Sequence, residues 1–300
     1  MSSIKNILIC GLGAIGGYYA SVISNYKDLD LRILVDKERF ERYKKSPRII
    51  NGKEISFAYL TPECVDFKAD LIIIATKSSG LNSAIHQIKN FVGDNTIILS
   101  FLNGITSEEK IADVYGHEKI LYSYLLGHTF FRERNSINHD GNAKIVFGSP
   151  NLENKRIFLL KDLFDKVGAK YEISKDIIKS LWLKFAFNCC ANQLSAVTRK
   201  TFDELRNNEK CLDVMRHICD EVSQIAKAEG IDSSDFWEST LNSLDLMIPD
   251  GKTSMLQDIE AGIRPETDIF GRTVYTLGKK YGIETPYNKI LSDVIESLHG

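Results

Sequence analysis

What this chain lacks narrows it first. No apolar run approaches the ~20 residues that a helix needs to cross a bilayer. No block of lysine and arginine stands out, and a net charge of -2 gives no field for holding nucleic acid. Met1-Ser2-Ser3 lacks the glycine that myristoylation requires. The first expected strand starts near Ile4, which leaves no room for a signal peptide. The six cysteines (Cys10, Cys64, Cys189, Cys190, Cys211 and Cys219) form no CxxC pair. The six histidines are scattered, with no HExxH, so no metal site is expected. Cys10, Cys189 and Cys190 fall in strongly apolar segments, where a free cysteine behaves as a small hydrophobe. They read as reduced core residues of a cytoplasmic protein. His128 and His139 read as structural.

The remaining composition is that of an ordinary globular protein, 43% hydrophobic and 26% charged. Three hundred residues suit two domains better than one core. The strongest local signal is Gly11-Leu12-Gly13-Ala14-Ile15-Gly16, directly after the apolar run Ile7-Leu8-Ile9-Cys10. A buried strand running through GxGxxG into a helix is a dinucleotide-binding pattern. Gly11 permits the tight turn, Gly13 lets the backbone approach a pyrophosphate, and Gly16 lets helix and strand pack closely. The helix N-terminus offers unpaired N–H groups and partial positive charge to phosphates. A second apolar strand ends at Asp36, twenty residues after Gly16, where an acid can hydrogen-bond an adenosine ribose. The competing reading is an ordinary glycine-rich βα turn.

Strands are expected at 4–10, 31–35, 71–75 and 96–101, with 120–126 and 144–147 as later strands of the same sheet. Asn51-Gly52 between apolar residues signals a hairpin within 48–60. Helices at 14–26, 37–45 and 153–167 and a short strand at 169–173 complete this half. The βα alternation predicts an α/β fold, a doubly wound parallel Rossmann sheet over residues 1–173. From 174 to 300 the strand pattern stops. Helices are expected at 176–199, 207–229, 233–246, 253–261, 267–281 and 286–298, an all-helical domain for substrate and dimerisation. Thr285-Pro286 supplies a cap residue and a first-turn proline for the last of these. In such folds ligands lie outside the carboxyl ends of the strands, so the substrate is expected in the cleft between the domains.

The second informative segment runs from Leu181 to Asn192. Lys184, Asn188 and Asn192 recur every four residues and share one helix face, while the other positions from 181 to 191 are apolar. A helix apolar around most of its circumference is buried. A polar stripe on it must meet hydrogen-bonding partners or a ligand, because an unpaired buried lysine is costly. The alternative is a solvent-facing stripe. A lysine ammonium can stabilise a forming alkoxide and then donate the proton, which is what nicotinamide-dependent carbonyl reduction asks of the protein. Lys77 and Asn103-Gly104 follow apolar strands, at positions where this fold makes cofactor and substrate contacts.

Taken together, these residues resemble the ketopantoate reductase (2-dehydropantoate 2-reductase) family over almost the whole chain. The resemblance rests on GxGxxG, Thr76-Lys77, Asn103-Gly104, Trp182-Leu183-Lys184 with Asn188 and Asn192, and Thr253-Ser254-Met255-Leu256-Gln257-Asp258 followed by Glu266. It implies that Lys184 is the proton donor and that Glu266 belongs to the catalytic group, lining the cofactor and substrate cleft with Lys77. Asn103, Asn188, Asn192 and Ser254 would contact substrate. Gly11 to Gly16 (with Leu12, Gly13, Ala14 and Ile15), Asp36, Lys77 and Asn103 would contact NAD or NADP. The implied reaction is hydride transfer to a 2-oxo acid, with 2-dehydropantoate, the precursor of (R)-pantoate in pantothenate biosynthesis, as first choice. The implied partners are a small molecule and a second copy in a homodimer, with no nucleic acid and no membrane.

Two departures matter. NADPH-using members carry a basic residue near the end of the second strand, where this chain has Asp36. A carboxylate repels a 2′-phosphate and accepts hydrogen bonds from a free ribose, so Asp36 favours NAD, while Lys37 and Arg39 stand close enough to assist NADP. Ten residues past Asn192, where pantoate-making enzymes have an asparagine, this chain has Phe202. Both features resemble the NAD-dependent D-2-hydroxyacid dehydrogenases of the same superfamily, which act on branched or aromatic 2-oxo acids. Gln193 replaces a proline common in the family, without an evident role. A non-catalytic dinucleotide sensor would have no need of the Lys184 stripe. A β-hydroxyacid dehydrogenase would lack the Ser-Met-Leu-Gln-Asp segment.

Overall fold

The computed structural model describes residues 3–127, 130–133 and 135–298. His128 lies outside them. The chain divides into two compact units, Met1–Leu102 with Thr106–Ile177, and Asn103–Ile105 with Ile178–Gly300.

The first unit opens with β1 (Asn6–Cys10), α1 (Ala14–Ile23), β2 (Asp30–Leu34) and α2 (Lys37–Lys45). A hairpin follows, of β3 (Arg48–Ile50) and β4 (Lys53–Ile55). Its turn residues Asn51 and Gly52 both have positive φ, 47° and 76°, as a two-residue type I′ connection requires. Next come β5 (Ala58–Leu60), β6 (Ala69–Ile74), α3 (Leu81–Gln87), β7 (Val92–Ser100) and α4 (Ser107–Tyr115). The central sheet has the order β5-β2-β1-β6-β7 and is parallel throughout. Its middle strands are fully buried at Ile7, Leu8 and Ile9 of β1 and at Leu71, Ile72, Ile73 and Ile74 of β6, because helices cover both faces. That is a Rossmann-type sheet.

The expectation that 120–126 and 144–147 extend this sheet is corrected. β8 (Tyr122–Leu126), β11 (Lys144–Gly148) and β12 (Lys170–Ile173) form a separate three-stranded sheet. An isolated parallel bridge, Ile98 to Ile120, joins the residues just before β8 to β7 of the first sheet. Between β8 and β11 the chain makes a hairpin, β9 (Phe130–Glu133) and β10 (Ser136–His139), and a hairpin return sets β11 antiparallel to β8. The crossover helix α5 (Arg156–Val167) then makes β12 parallel to β11. β10 also pairs with β3, giving a four-stranded sheet β4-β3-β10-β9. His139 packs its ring against Tyr18, centroids 4.5 Å apart.

The second unit is helical: α6 (Ile177–Thr198), α7 (Phe202–Arg206), α8 (Glu209–Ala228), α9 (Phe236–Asp245), α10 (Ser254–Glu260), α11 (Gly271–Tyr281) and α12 (Pro286–Ser297). Its core joins Trp182, Phe185, Cys189 and Cys190 of α6 to Met215, Ile218 and Val222 of α8 and Phe236 of α9. All six cysteines are free thiols. Burial pushes the Cys10 thiol up to about 12 and those of Cys189 and Cys190 well above the usual range. The division between units falls at Ile177/Ile178, and Asn103–Ile105 belong to the helical unit, where Ile105 packs on its core. Among the described residues no helix is long and apolar enough to cross a membrane, and no His/Cys/Asp/Glu cluster could hold a metal.

Candidate active site

In the first unit the glycine turn is shaped by steric exclusion. Gly11 has φ +105°, and a Cβ there would lie 2.6 Å from the Ala75 carbonyl oxygen. At Gly16 a Cβ would lie 1.9 Å from the carbonyl oxygen of Gly11, so α1 closes directly onto the turn. Gly13 starts α1 with extended backbone and no side-chain cap, which leaves the first-turn N–H groups for another acceptor. Leu12 is buried, and Ala14 and Ile15 pack against the core, so these three could serve a ligand only through their backbone. Beside the turn, at the carboxyl end of β6, the Thr76 hydroxyl is buried without a hydrogen-bond partner. A cradle that no Cβ can enter, with uncapped amides and an orphaned hydroxyl at its edge, fits a phosphate-bearing dinucleotide. Nothing in the sequence singles out Thr76 beyond its place in Thr76-Lys77. Lys77 is exposed and precedes a short 3-10 turn.

Asp36 has a local task as well. Its Oδ1 accepts from the Arg39 backbone N–H at 2.7 Å, capping α2, and its Oδ2 lies 3.2 Å from the Arg39 guanidinium. Lys37 Nζ stands 3.4 Å from Glu63. The acid expected to meet a ribose is therefore tied to a cation three residues on.

In the second unit α6 presents the polar stripe. Lys184 is half-buried, and its Nζ donates to Asn103 Oδ1 at 3.1 Å. Two residues 81 apart in sequence meet because Asn103–Ile105 run with the helical unit. Gly104, φ +92°, lies so close to Ile269 that a Cβ would sit 3.2 Å from it. Glu266 is half-buried at the start of the 3-10 turn that carries Ile269. Asn192, 4% exposed, accepts at Oδ1 from Ser254 Oγ at 3.3 Å and from the Met255 N–H at 3.4 Å. It therefore holds the first turn of α10, whose own cap is the Thr253 hydroxyl. Asn188, half-buried between Lys184 and Asn192, makes no hydrogen bond among the described residues. Beside the stripe the ring of Phe187 stacks on that of Phe202, centroids 6.4 Å apart and planes 20° apart. The Phe187 contact is not evident from the sequence, although its place at i+3 from Lys184 puts it on the same face.

A nucleotide cradle and a lysine hydrogen-bonded to an amide are the working parts of a nicotinamide-dependent oxidoreductase. Family models narrow that class. Ketopantoate reductase PanE/ApbA matches residues 7–151, and Ketopantoate reductase PanE/ApbA C terminal matches 176–299. The chain belongs to the ketopantoate reductase family, and it is an NAD(P)-dependent oxidoreductase. It is 27% identical to the 2-dehydropantoate 2-reductase of Aquifex aeolicus, over 98% of this chain and 97% of that one. The Pyrococcus horikoshii 2-dehydropantoate 2-reductase is 27% identical over 98% of each. Among solved structures, a ternary complex of D-mandelate dehydrogenase with NADH and anilino(oxo)acetate superposes with a TM-score of 0.86 at 24% identity, covering 98% of each chain. A PanE/ApbA family ketopantoate reductase from Ralstonia eutropha gives 0.84 at 22%, again over 98% of each. These two likenesses are of fold.

Proposed function

We propose that the protein reduces a 2-oxo acid to the 2-hydroxy acid, with Lys184 as proton donor. The observation that carries this is the Lys184–Asn103 hydrogen bond. An ammonium has three N–H donors, and this bond to a neutral amide fixes the direction of one of them. Asn188 offers an uncommitted amide on the same face, and Asn192 sets the position of Ser254. The glycine turn and Thr76 would hold the cofactor, which supplies the hydride when bound. Glu266 and Lys77 complete the proposed set. 2-Dehydropantoate is the first substrate to test, on the strength of the full-length relatives. Steady-state kinetics with a panel of 2-oxo acids, each with NADH and NADPH, is the direct test. No NAD(P)H oxidation with any of them would overturn the reading.

A second reading, an aromatic or branched 2-oxo acid, is favoured by the stacked pair Phe187 and Phe202. Two rings beside the stripe suit an apolar substrate end better than a hydroxyl. Phe202→Asn is expected to raise kcat/KM for 2-dehydropantoate relative to an aromatic 2-oxo acid by about tenfold, the scale of one misfitted group in a pocket. An unchanged ratio removes Phe202 from the specificity argument.

For the cofactor we propose a preference for NADH, from the Asp36 carboxylate. Asp36→Arg should shift the kcat/KM ratio toward NADPH by about tenfold, equivalent to roughly 1.4 kcal/mol. The change removes the repulsive charge and frees Arg39 from its ion pair. A wild type that already prefers NADPH would show that Arg39, and not Asp36, sets the choice.

A further inference from the structure

The segment carrying Asn103 leaves the parallel-sheet unit after Leu102 and rejoins it at Thr106. Its two ends are tied together. Ser100, the last residue of β7, donates its hydroxyl to Ser107, the first residue of α4, at 2.8 Å. Ser107 donates in turn to Glu108 Oε2 at 2.8 Å, and the Leu102 N–H reaches Ser100 Oγ at 3.4 Å. The donors therefore run in one direction, from the Leu102 amide through two hydroxyls to a carboxyl. Ser100, Ser107 and Glu108 are each at most 3% exposed. On β8, the Ser123 hydroxyl donates to the Ser100 carbonyl at 2.8 Å, which fixes the strand end from a second side.

We propose that Ser100, Ser107 and Glu108 are positioning residues for Asn103, forming a clasp at the base of the segment that presents its amide to Lys184. The proposal rests on the role given above to the Lys184–Asn103 pair. A plain helix-start role explains less. Thr106 makes no side-chain cap for α4, and a capping acid would be expected to sit exposed. Glu108 is instead buried, and its Oε1 has no hydrogen-bond partner. Burial pushes its carboxyl up to about 7, against the opposing hydrogen bond from Ser107. A group held at such a disadvantage adds little stability; what it adds is a fixed acceptor at the end of the chain of donors. Backbone on either side is thereby held where Asn103 leaves. Gly104 and Ile105, packed on Ile269 and the helical core, hold the same segment from its tip.

The test compares Glu108→Ala, Glu108→Gln and Ser107→Ala in the full-length protein. Three quantities are read: amide hydrogen exchange across 101–106, NADH affinity by fluorescence, and kcat and KM for the best 2-oxo acid. Glu108→Ala and Ser107→Ala are expected to speed exchange at 103–105 by about tenfold, the scale of one lost buried hydrogen bond. They should lower kcat by about as much while NADH affinity stays within about twofold, because the glycine turn is untouched. Glu108→Gln, whose amide oxygen still accepts from Ser107, should restore both to within about threefold of wild type. Unchanged exchange in both alanine variants overturns the clasp. So does a glutamine variant as damaged as the alanine, or NADH affinity falling in step with kcat. A wild type inactive on every 2-oxo acid would sink the proposed function alone, since the exchange readout needs no turnover.

Discussion

Lys184→Met should fold, bind NAD(P)H close to wild-type affinity, and lose at least about a hundredfold in turnover. Methionine keeps an unbranched apolar stem, so the packing of α6 around Trp182 and Phe185 is preserved and the ammonium alone is removed. Cofactor affinity is expected to survive because the proposed cradle, Gly11 to Gly16 with Thr76, belongs to the other unit. The loss should appear in kcat as well as in kcat/KM. The ammonium interacts most strongly with the negative charge that develops on the substrate oxygen, so its removal acts on the transition state more than on binding. Steady-state kinetics beside a fluorescence titration with NADH separates the two quantities. A folded, cofactor-binding variant with near-wild-type kcat would falsify the assignment and make Lys77 the next candidate.

The amides beside Lys184 bear on this expectation. One hydrogen-bond acceptor of its ammonium is the amide of Asn103, and the next stripe position is the amide of Asn188. Amides orient a lysine and a carboxylate-bearing substrate without adding a competing negative charge. A 2-oxo acid brings its own carboxylate, to which the Lys184 cation is matched in charge.

Parts of this site were legible in the sequence because their causes are local. β1, the glycine turn and α1 follow from a short apolar run and glycines whose spacing permits one backbone path. The α6 stripe follows from a four-residue spacing on an otherwise apolar helix. What escaped was set by residues distant in the chain. Nothing near Asn103 announces that three residues depart for the helical unit, because Ile105 and Gly104 find their partners there. Asn192 reads as a substrate ligand, and the structure also gives it the first turn of α10 to hold, 62 residues away. Asp36 reads as a ribose acceptor, although its place before Lys37–Lys45 also carries an available signal, that of a helix cap. The short helix α7 escapes despite its capping box of Thr201 and Glu204, since five residues give no hydrophobic period to read.

Gln193 shows the same limit, and it leads to the largest expected effect on stability. It is fully buried, donates to Asn288 Oδ1 at 2.9 Å and accepts from Ser292 Oγ at 3.2 Å. Asn288 donates its side-chain amide to Glu221 Oε2 at 2.7 Å. Glu221, 5% exposed on α8, also accepts the backbone N–H groups of Tyr287 at 2.8 Å and Asn288 at 3.0 Å. Thr285-Pro286 marks the start of α12 in the sequence, yet the Thr285 side chain makes no cap. The cap comes from α8, a carboxylate set at a helix N-terminus, where the partial positive charge of the helix favours it. Glu221→Ala would leave two backbone N–H groups and the Asn288 amide buried without that acceptor. At about 1–3 kcal/mol for each stranded group, partly relieved by relaxation, the expected loss is about 3–5 kcal/mol of unfolding free energy. Glu221→Gln keeps one acceptor oxygen and the shape, and should lose about half as much. Both tryptophans, Trp182 and Trp237, lie in the helical unit, so urea unfolding followed by their fluorescence reads that unit directly. A Glu221→Ala midpoint indistinguishable from wild type would mean that α12 is held by its apolar face alone, and that the buried polar chain from Gln193 to Glu221 does not secure it.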